Sequence, residues 1–315
     1  MNSSIKNNFI VSVIIPCYNV ENYINECVKS VVNQDYEFIE LICIDNASTD
    51  NTYQKLTELK SKYSFKLFQC TLPGANNARN LGIEKSSGLW IQFLDADDIL
   101  YPSKISHQVK LINNSKIDVD FIVASSFHKD LKCELKKINP SEDKFIGVLE
   151  SNFGNTCSNL FKSKSLIKLK GWDVNLKSSQ EYNLMFRMIQ NKCEFILDLK
   201  PLTLIRERGF GQISFQNPKL KWNQYVDLRL DIINYLKKEE SNYYLSNEII
   251  IKQILFDIIR ILIKYDEKRA LFVYNKYLID FKPKKSLSTG VLYLLIFNIL
   301  GFKRTEKIKR FLNLN

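Results

Sequence analysis

Ile91-Gln92-Phe93-Leu94-Asp95-Ala96-Asp97-Asp98 is an apolar run that ends in three carboxylates within four residues. Like charges this close repel, and packing at the end of a buried strand does not call for them. A hard divalent cation prefers oxygen ligands and bridges protein carboxylates to substrate phosphates, so it suits such a cluster. The same residues also read as a turn and helix cap ahead of Pro102, because Asp favours both. Two more polar clusters close apolar runs: Pro16-Cys17-Tyr18-Asn19 and Asp45-Asn46-Ala47-Ser48-Thr49-Asp50.

Residues 10–125 alternate strand-like and helix-like segments. Strand-like runs fall at 10–15, 38–44, 65–70, 89–94 and 121–124, with helical spacing at 21–33, 50–62, 75–86 and 102–113. Such alternation predicts a mostly parallel sheet flanked by helices, an α/β architecture. In open parallel sheets ligands bind beyond the carboxyl ends of the strands, so all three polar clusters are expected along one edge. Neither a Gly-x-Gly-x-x-Gly after the first strand nor a Gly-rich loop ending in Lys-Ser/Thr is present. Phosphates would need another counter-charge: a cation at the acidic cluster, and Arg79.

A chain of 315 residues with 45% apolar and 25% charged residues is of globular type. The seven Cys are scattered without a C-x-x-C, several inside apolar runs. That pattern argues for a reducing compartment rather than a disulfide framework. With only His107 and His128, a His-based metal site or a Ser-His-Asp triad is poorly supported. The polar N-terminus lacks a secretory pattern, and no apolar stretch reaches the ~18 residues of a membrane span; a cytoplasmic protein is expected. Lys219 to Asn315 carries 19 Lys and Arg against 10 Asp and Glu, leaving only +2 of the +11 net charge to residues 1–218. The composition shift near Pro218 divides the chain into 1–218, itself read as 1–125 and 126–218, and a basic helical region, 219–315.

The motifs resemble the family 2 glycosyltransferases of the GT-A fold. Val11-Ser12-Val13-Ile14-Ile15-Pro16-Cys17-Tyr18-Asn19 looks like the family's opening strand and nucleotide-contacting turn, and Ile44 to Asp50 like its second acidic turn. Gly74-Ala75-Asn76-Asn77-Ala78-Arg79-Asn80 is similar to its G-x-x-x-A-R-N segment, and Phe93 to Asp98 to its D-x-D metal motif. The resemblance is specific over residues 10–100, weaker to about 215, and says little about 219–315. It implies that Pro16, Tyr18, Asn19 and Asp45 border the nucleotide. Arg79 would face the diphosphate, Asp95 the ribose or donor sugar, and Asp97 or Asp98 would hold Mn²⁺ or Mg²⁺. Gln180-Glu181 through Arg187 is similar to the family's acidic helix start, which makes Glu181 the general base. Two positions depart from the pattern. Asn46 stands where a second acid often contacts uracil, and its amide also suits a base edge, leaving uracil or thymine open. Glu181 replaces the commoner Asp.

The implied activity is metal-dependent, inverting transfer of a sugar from a UDP or dTDP sugar to a hydroxyl of a saccharide or lipid-linked acceptor in surface polysaccharide synthesis. Other readings stand beside it. Ser178-Ser179-Gln180-Glu181 is also a capping box, and Arg79 also reads as a solvated helix residue. Trp172 and Asp173 suit an acceptor wall or ordinary packing. Arg206 and Arg208 precede Gly209-Phe210-Gly211, read as a loop over the donor. In the tail, Val291 to Leu300 followed by Lys303, Arg304, Lys307, Lys309 and Arg310 reads as a helix on an anionic membrane surface, at the inner face of the cell membrane, or as one packed on the protein. A nucleotidyltransferase, a non-catalytic scaffold and a nucleic-acid binder are the rivals. The first lacks its Gly-rich basic loop and the last any recognised motif, so no nucleic-acid partner is expected.

Overall fold

The computed structural model describes residues 8–208, 217–286 and 289–311. These form two compact units, one of residues 8–176 with 180–208, the other of 177–179 with 217–311.

The first unit begins β1 (Val11–Cys17), α1 (Ile24–Val32), β2 (Ile39–Asp45), α2 (Thr52–Lys62), β3 (Lys66–Gln69), α3 (Ala75–Lys85) and β4 (Trp90–Phe93). It continues β5 (Ile99–Leu100), α4 (Lys104–Asn114), β6 (Phe121–Ala124), β7 (Ser126–Lys129), β8 (Leu135–Ile138) and α5 (Lys144–Glu150). It closes with β9 (Leu160–Lys162), α6 (Ser163–Lys168), α7 (Gln180–Gln190), β10 (Phe195–Asp198) and β11 (Thr203–Arg206). Seven strands make one sheet in the order β10-β6-β9-β4-β1-β2-β3. Neighbours run parallel except β9, which is antiparallel to both β4 and β6. β1 lies inside the sheet, between β4 and β2, because Val-Ser-Val-Ile-Ile can be buried on both faces, as parallel strands require. Val13, Ile15, Cys27, Val28, Leu41, Leu56 and Ile105 belong to the core on one side.

Register places the polar clusters. Cys17 pairs with Asp45 and Ile14 with Phe93, so β1, β2 and β4 all end at the same edge of the sheet. Backbone bonds lock these ends together: Asn46 N–H to the Cys17 carbonyl at 2.8 Å, Leu94 N–H to that of Ile14 at 3.0 Å, and Cys70 N–H to that of Asp45 at 2.8 Å. α3 comes close to β1 because residue 82 is Gly; a Cβ there would stand 2.3 Å from Ile14 Cγ2.

The sequence pattern does not show a second sheet, ordered β5-β11-β7-β8. Its β7–β8 hairpin is hidden because β8, Leu-Lys-Lys-Ile, is largely exposed and lacks alternation. The sheet has a functional effect: Thr203 pairs with Leu100, which brings the end of β11 beside the acidic loop that follows β4.

The second unit is helical: α8 (Pro218–Glu239), α9 (Ser241–Leu262), α10 (Glu267–Tyr277) and α11 (Val291–Phe311), the last kinked at Gly301. Phe256 meets the rings of Phe281, Tyr293, Phe297 and Phe302 with centroids 5.5 to 6.3 Å apart. The Arg260–Glu306 ion pair is buried beside them, with Tyr293 Oη donating to Glu306 at 2.7 Å. Among the described residues no helix is long and apolar enough to cross a membrane.

At the opposite end of the main sheet, Glu40 ties three segments. It accepts from Ser12 Oγ at 2.5 Å, from Ser87 N–H at 2.8 Å and from Lys66 Nζ at 2.5 Å. Burial alone would raise its pKa, but the bonds from Lys66, Ser12 and Ser87 outweigh it and lower the value from 4.5 to about 2. A carboxylate depressed in the fold contributes stability that is complete above its unfolded value and lost as pH falls through the folded one. Urea midpoints measured from pH 6 down to 2 should therefore drop less steeply between about 4.5 and 2 in Glu40→Gln than in the wild type.

Candidate functional site

Asp95 to Asp98 form the turn between β4 and β5. Asp98 N–H donates to the Asp95 carbonyl at 2.9 Å, which curls the turn so that Asp95 and Asp98 face the same way. Their carboxylates gather with Cys157 Sγ, all ligand atoms lying within 4.8 Å of one another. Cys157 sits in the polar turn before β9 and accepts from Asp95 N–H at 3.2 Å. That turn is held from below: the Cys157 carbonyl accepts from Gln92 Nε2 at 2.7 Å and from Thr203 Oγ1 at 3.3 Å. Lys104, fully buried and bonded to Gln92, has its pKa lowered to about 7 by burial, against the opposing pull of Asp198.

Asp97 and Asp98 resist ionisation. Burial, then the charges of Asp97 and Asp95, pushes Asp98 well above the carboxylate range. Burial, then Asp95, raises Asp97, while Arg208 opposes the rise. The electrostatics fit a divalent cation, which would relieve the repulsion, and the carboxylate oxygens are the donors a hard cation prefers. The placement differs from the Asp97 and Asp98 pair expected from the sequence. Asp98 joins Asp95 and Cys157, whereas Asp97 Oδ2 is engaged by Arg208 Nε. Asp98 Oδ1 accepts from Arg206 N–H at 2.8 Å.

Arg79, on α3, is buried and faces the acidic loop. Its Nη2 pairs with Asp95 Oδ1 at 2.8 Å, and its Nη1 donates to Asn76 Oδ1 and Gln180 Oε1, both at 3.2 Å. Its guanidinium stacks 4.6 Å above the ring of Trp172. It is no solvated helix residue, and its charge is directed at Asp95. Trp172 is 2% exposed and meets Phe93 edge to face at 5.1 Å; it is a packed platform under Arg79 rather than a wall.

Glu181 opens α7 one residue after Gln180. Its Oε2 accepts from Thr156 Oγ1 at 3.3 Å. The capping box is not formed: Ser178 N–H donates to Gln224 Oε1 at 3.1 Å, leaving Glu181 facing the site. Burial raises the pKa of Glu181; Arg79 lowers it and Asp95 raises it again. Arg187, on the same helix, donates to the Leu169 and Gly171 carbonyls at 2.8 Å, a structural role.

Along the edge, Pro16 and the 46% exposed Tyr18 flank the end of β1. Asp45 Oδ1 is buried without a hydrogen-bond partner among the described residues, an acceptor that an ordered water, an ion or a ligand can satisfy. Asn46 differs from the expectation of a base contact. Its Nδ2 donates to the Leu72 carbonyl at 2.7 Å and the Cys70 carbonyl at 3.2 Å, and its Oδ1 accepts from Gly74 N–H at 2.8 Å. Every polar atom of the amide is spent on the 70–74 segment. Asn19 is likewise tied to the second turn, accepting from Thr49 N–H at 2.8 Å. The two shape the groove through the loops they hold. Residues 209–211 lie outside the described residues.

Sequence reasoning missed Cys157, Thr156 and Gln180. The run Asn155-Thr156-Cys157-Ser158-Asn159 carried a signal: five small or polar residues directly before a strand whose burial requires them to be bonded.

A model of Glycosyl transferase family 2 matches residues 12–169. An uncharacterized glycosyltransferase of Rickettsia felis is 30% identical over 251 residues, covering 74% of this chain and 41% of that protein. The Escherichia coli protein named UDP-Glc:alpha-D-GlcNAc-diphosphoundecaprenol beta-1,3-glucosyltransferase WfaP is 32% identical over 127 residues, 38% of this chain and 51% of that one. The chain thus spans about half or less of these curated relatives. Among solved structures, S. aureus TarS 1–349 in complex with UDP-GlcNAc superposes with a TM-score of 0.62 at 16% identity, over 96% of this chain and 91% of that one. At that identity the likeness is one of fold. The family model covers half of the chain, including all four motifs of its first hundred residues, and the fold is of GT-A type: the chain belongs to glycosyl transferase family 2.

Proposed function

We propose that this chain transfers a glycosyl group from a UDP or dTDP sugar to a hydroxyl of a saccharide or lipid-linked acceptor, with Mn²⁺ or Mg²⁺ and with inversion, in the synthesis of a surface polysaccharide. The observation that carries the reading is the shared edge: Asp95, Asp98, Arg79 and Glu181 face one another at the strand ends where Asp45 keeps an unpartnered acceptor. WfaP, by its name, uses a UDP sugar and a diphosphoundecaprenol acceptor, and TarS binds UDP-GlcNAc; both support a nucleotide-sugar donor. Asp45 Oδ1 suits the ring N–H of uracil or thymine, which cytosine lacks.

In transfer the anomeric C–O bond breaks, its electron pair leaves with the diphosphate, and the sugar becomes oxocarbenium-like. Carboxylates of the Asp95–Asp98 loop would hold a divalent cation, which when bound would supply positive charge to the leaving group. Arg79 fixes Asp95 against the donor. Glu181 takes the proton of the attacking acceptor hydroxyl. Its raised pKa makes the ionised form a stronger base than an ordinary carboxylate. Attack from the face opposite the diphosphate inverts the anomeric centre.

A second proposal concerns the basic unit. On α11, Val291, Leu292, Leu295 and Ile299 are exposed on one face, while Tyr293 and Phe297 are buried on the other. The exposed Lys303, Arg304 and Lys307 follow the kink. We infer an anionic bilayer as the occupant, because an apolar face beside clustered cations matches lipid tails beside acidic headgroups. On this reading the enzyme works at the inner face of the cell membrane, where a lipid-linked acceptor would present its sugar.

A thermal-shift panel of UDP, dTDP, GDP and CDP sugars, each with and without Mn²⁺, tests the donor reading through ligand-linked stabilisation. UDP or dTDP sugars with Mn²⁺ should give the largest rise, and silence from every nucleotide overturns the reading. Glu181→Gln should lose about 10²–10⁴-fold in kcat with the donor shift retained. The wild-type kcat should climb with pH through a limb above the usual carboxylate range, since Glu181 must be ionised and its pKa is raised. Vesicles containing phosphatidylglycerol should sediment the wild type and leave Leu292→Glu/Ile299→Glu in solution; equal sedimentation of the two removes the membrane role.

A further inference from the structure

The carboxylates of the acidic loop already have partners within the chain. Asp95 has Arg79, Asp98 has the N–H of Arg206, and Asp97 has Arg208. The last pair is unlike an ordinary surface ion pair, because its side chains are only 17% and 12% exposed. Arg206 and Arg208 arrive together from β11 and the residues just after it. Both guanidiniums lie over the ring of Tyr23, at 5.5 and 5.3 Å. Arg206 is fastened further, through Nη1 to Glu26 and through Nε to the Asp97 carbonyl. Its Nη2 is buried with no acceptor among the described residues. Arg208 has no such additional anchor among the bonds the structure records, and it holds the middle carboxylate of a loop built for a cation.

We propose that Arg208 is an internal rival of the divalent cation for Asp97. This rests on the reading of the acidic loop as a metal-dependent donor site. A guanidinium and a dication cannot share one carboxylate without mutual repulsion, and at this degree of burial that repulsion is poorly screened. Asp97 can therefore join Asp95 and Asp98 around the cation only when Arg208 leaves it, and the freed guanidinium needs an anion. A diphosphate supplies one, since its oxygens match the planar fork of an arginine. Metal and donor thus bind as a unit: the chain alone holds the cation weakly, and a nucleoside diphosphate strengthens it by drawing Arg208 away.

Free Mn²⁺ measured by electron paramagnetic resonance tests this without reference to turnover. Wild type, Arg208→Gln and Arg208→Lys are titrated with Mn²⁺ alone and with UDP present. Arg208→Gln should bind Mn²⁺ alone about tenfold more tightly than the wild type. Arg208→Lys, which keeps the charge, should stay near the wild-type value. UDP should tighten Mn²⁺ binding strongly in the wild type and much less in Arg208→Gln. If UDP strengthens Mn²⁺ in the wild type while Arg208→Gln alone binds no more tightly, the rivalry is wrong and the donor site stands. If no protein binds Mn²⁺ with either UDP or dTDP, the donor-site reading falls and the rivalry with it.

Discussion

Electrostatic repulsion among Asp95, Asp97 and Asp98 is the constraint around which the first unit is organised. Three carboxyls in one tight turn, two of them under 9% exposed, are tolerable only because positive groups converge on them from separate segments. Arg79 arrives from α3, Arg206 and Arg208 from β11, and Cys157 brings a neutral thiol rather than another charge. Burial and the two nearby carboxylates raise the Cys157 pKa well above its usual value, so the thiol stays protonated and adds no anion.

The second sheet follows from the same demand. A purely parallel sheet would bring β1, β2, β4 and Arg79 of α3 to one edge, but not the two arginines that meet Asp97 and Asp98. The antiparallel pairing of β11 with β5 delivers two arginines to the loop, and antiparallel β9 lets the Asn155–Asn159 turn enter between β4 and β6 at the same height. Parallel strands place the acids, and the departures from parallel order place what compensates them.

Much of this was legible in the sequence. Phe121–Ala124 is found as expected, and β1, β2, β4 and α3 differ from their expected ranges only at the ends, because burial on both faces and helical spacing leave clear periodicities. The three polar clusters that close β1, β2 and β4 share one edge of the sheet, as expected. The side-chain assignments were less legible. Asn46, expected at a base, is consumed by the 70–74 segment, and Arg79, expected at phosphates, is paired with Asp95. Residue type announces that a group can bond; which partner it finds depends on contacts such as Arg79 with Gln180, 101 positions apart, that no local pattern encodes. β8 and Cys157 were missed for opposite reasons: one is too exposed to show alternation, the other too apolar in type to look like part of a polar site.

Gly82 gives the architecture a ruler. Because nothing projects from its Cα, α3 settles closely against the Ile14 side chain, and the helix's second turn then sets how far the Arg79 guanidinium reaches across the sheet edge. A bulkier residue there would lift the helix, and Arg79 would be carried away from Asp95 with it. The gap between the Arg79 guanidinium and Asp95 is thus gauged one turn away, by a residue that contributes only the lack of a side chain.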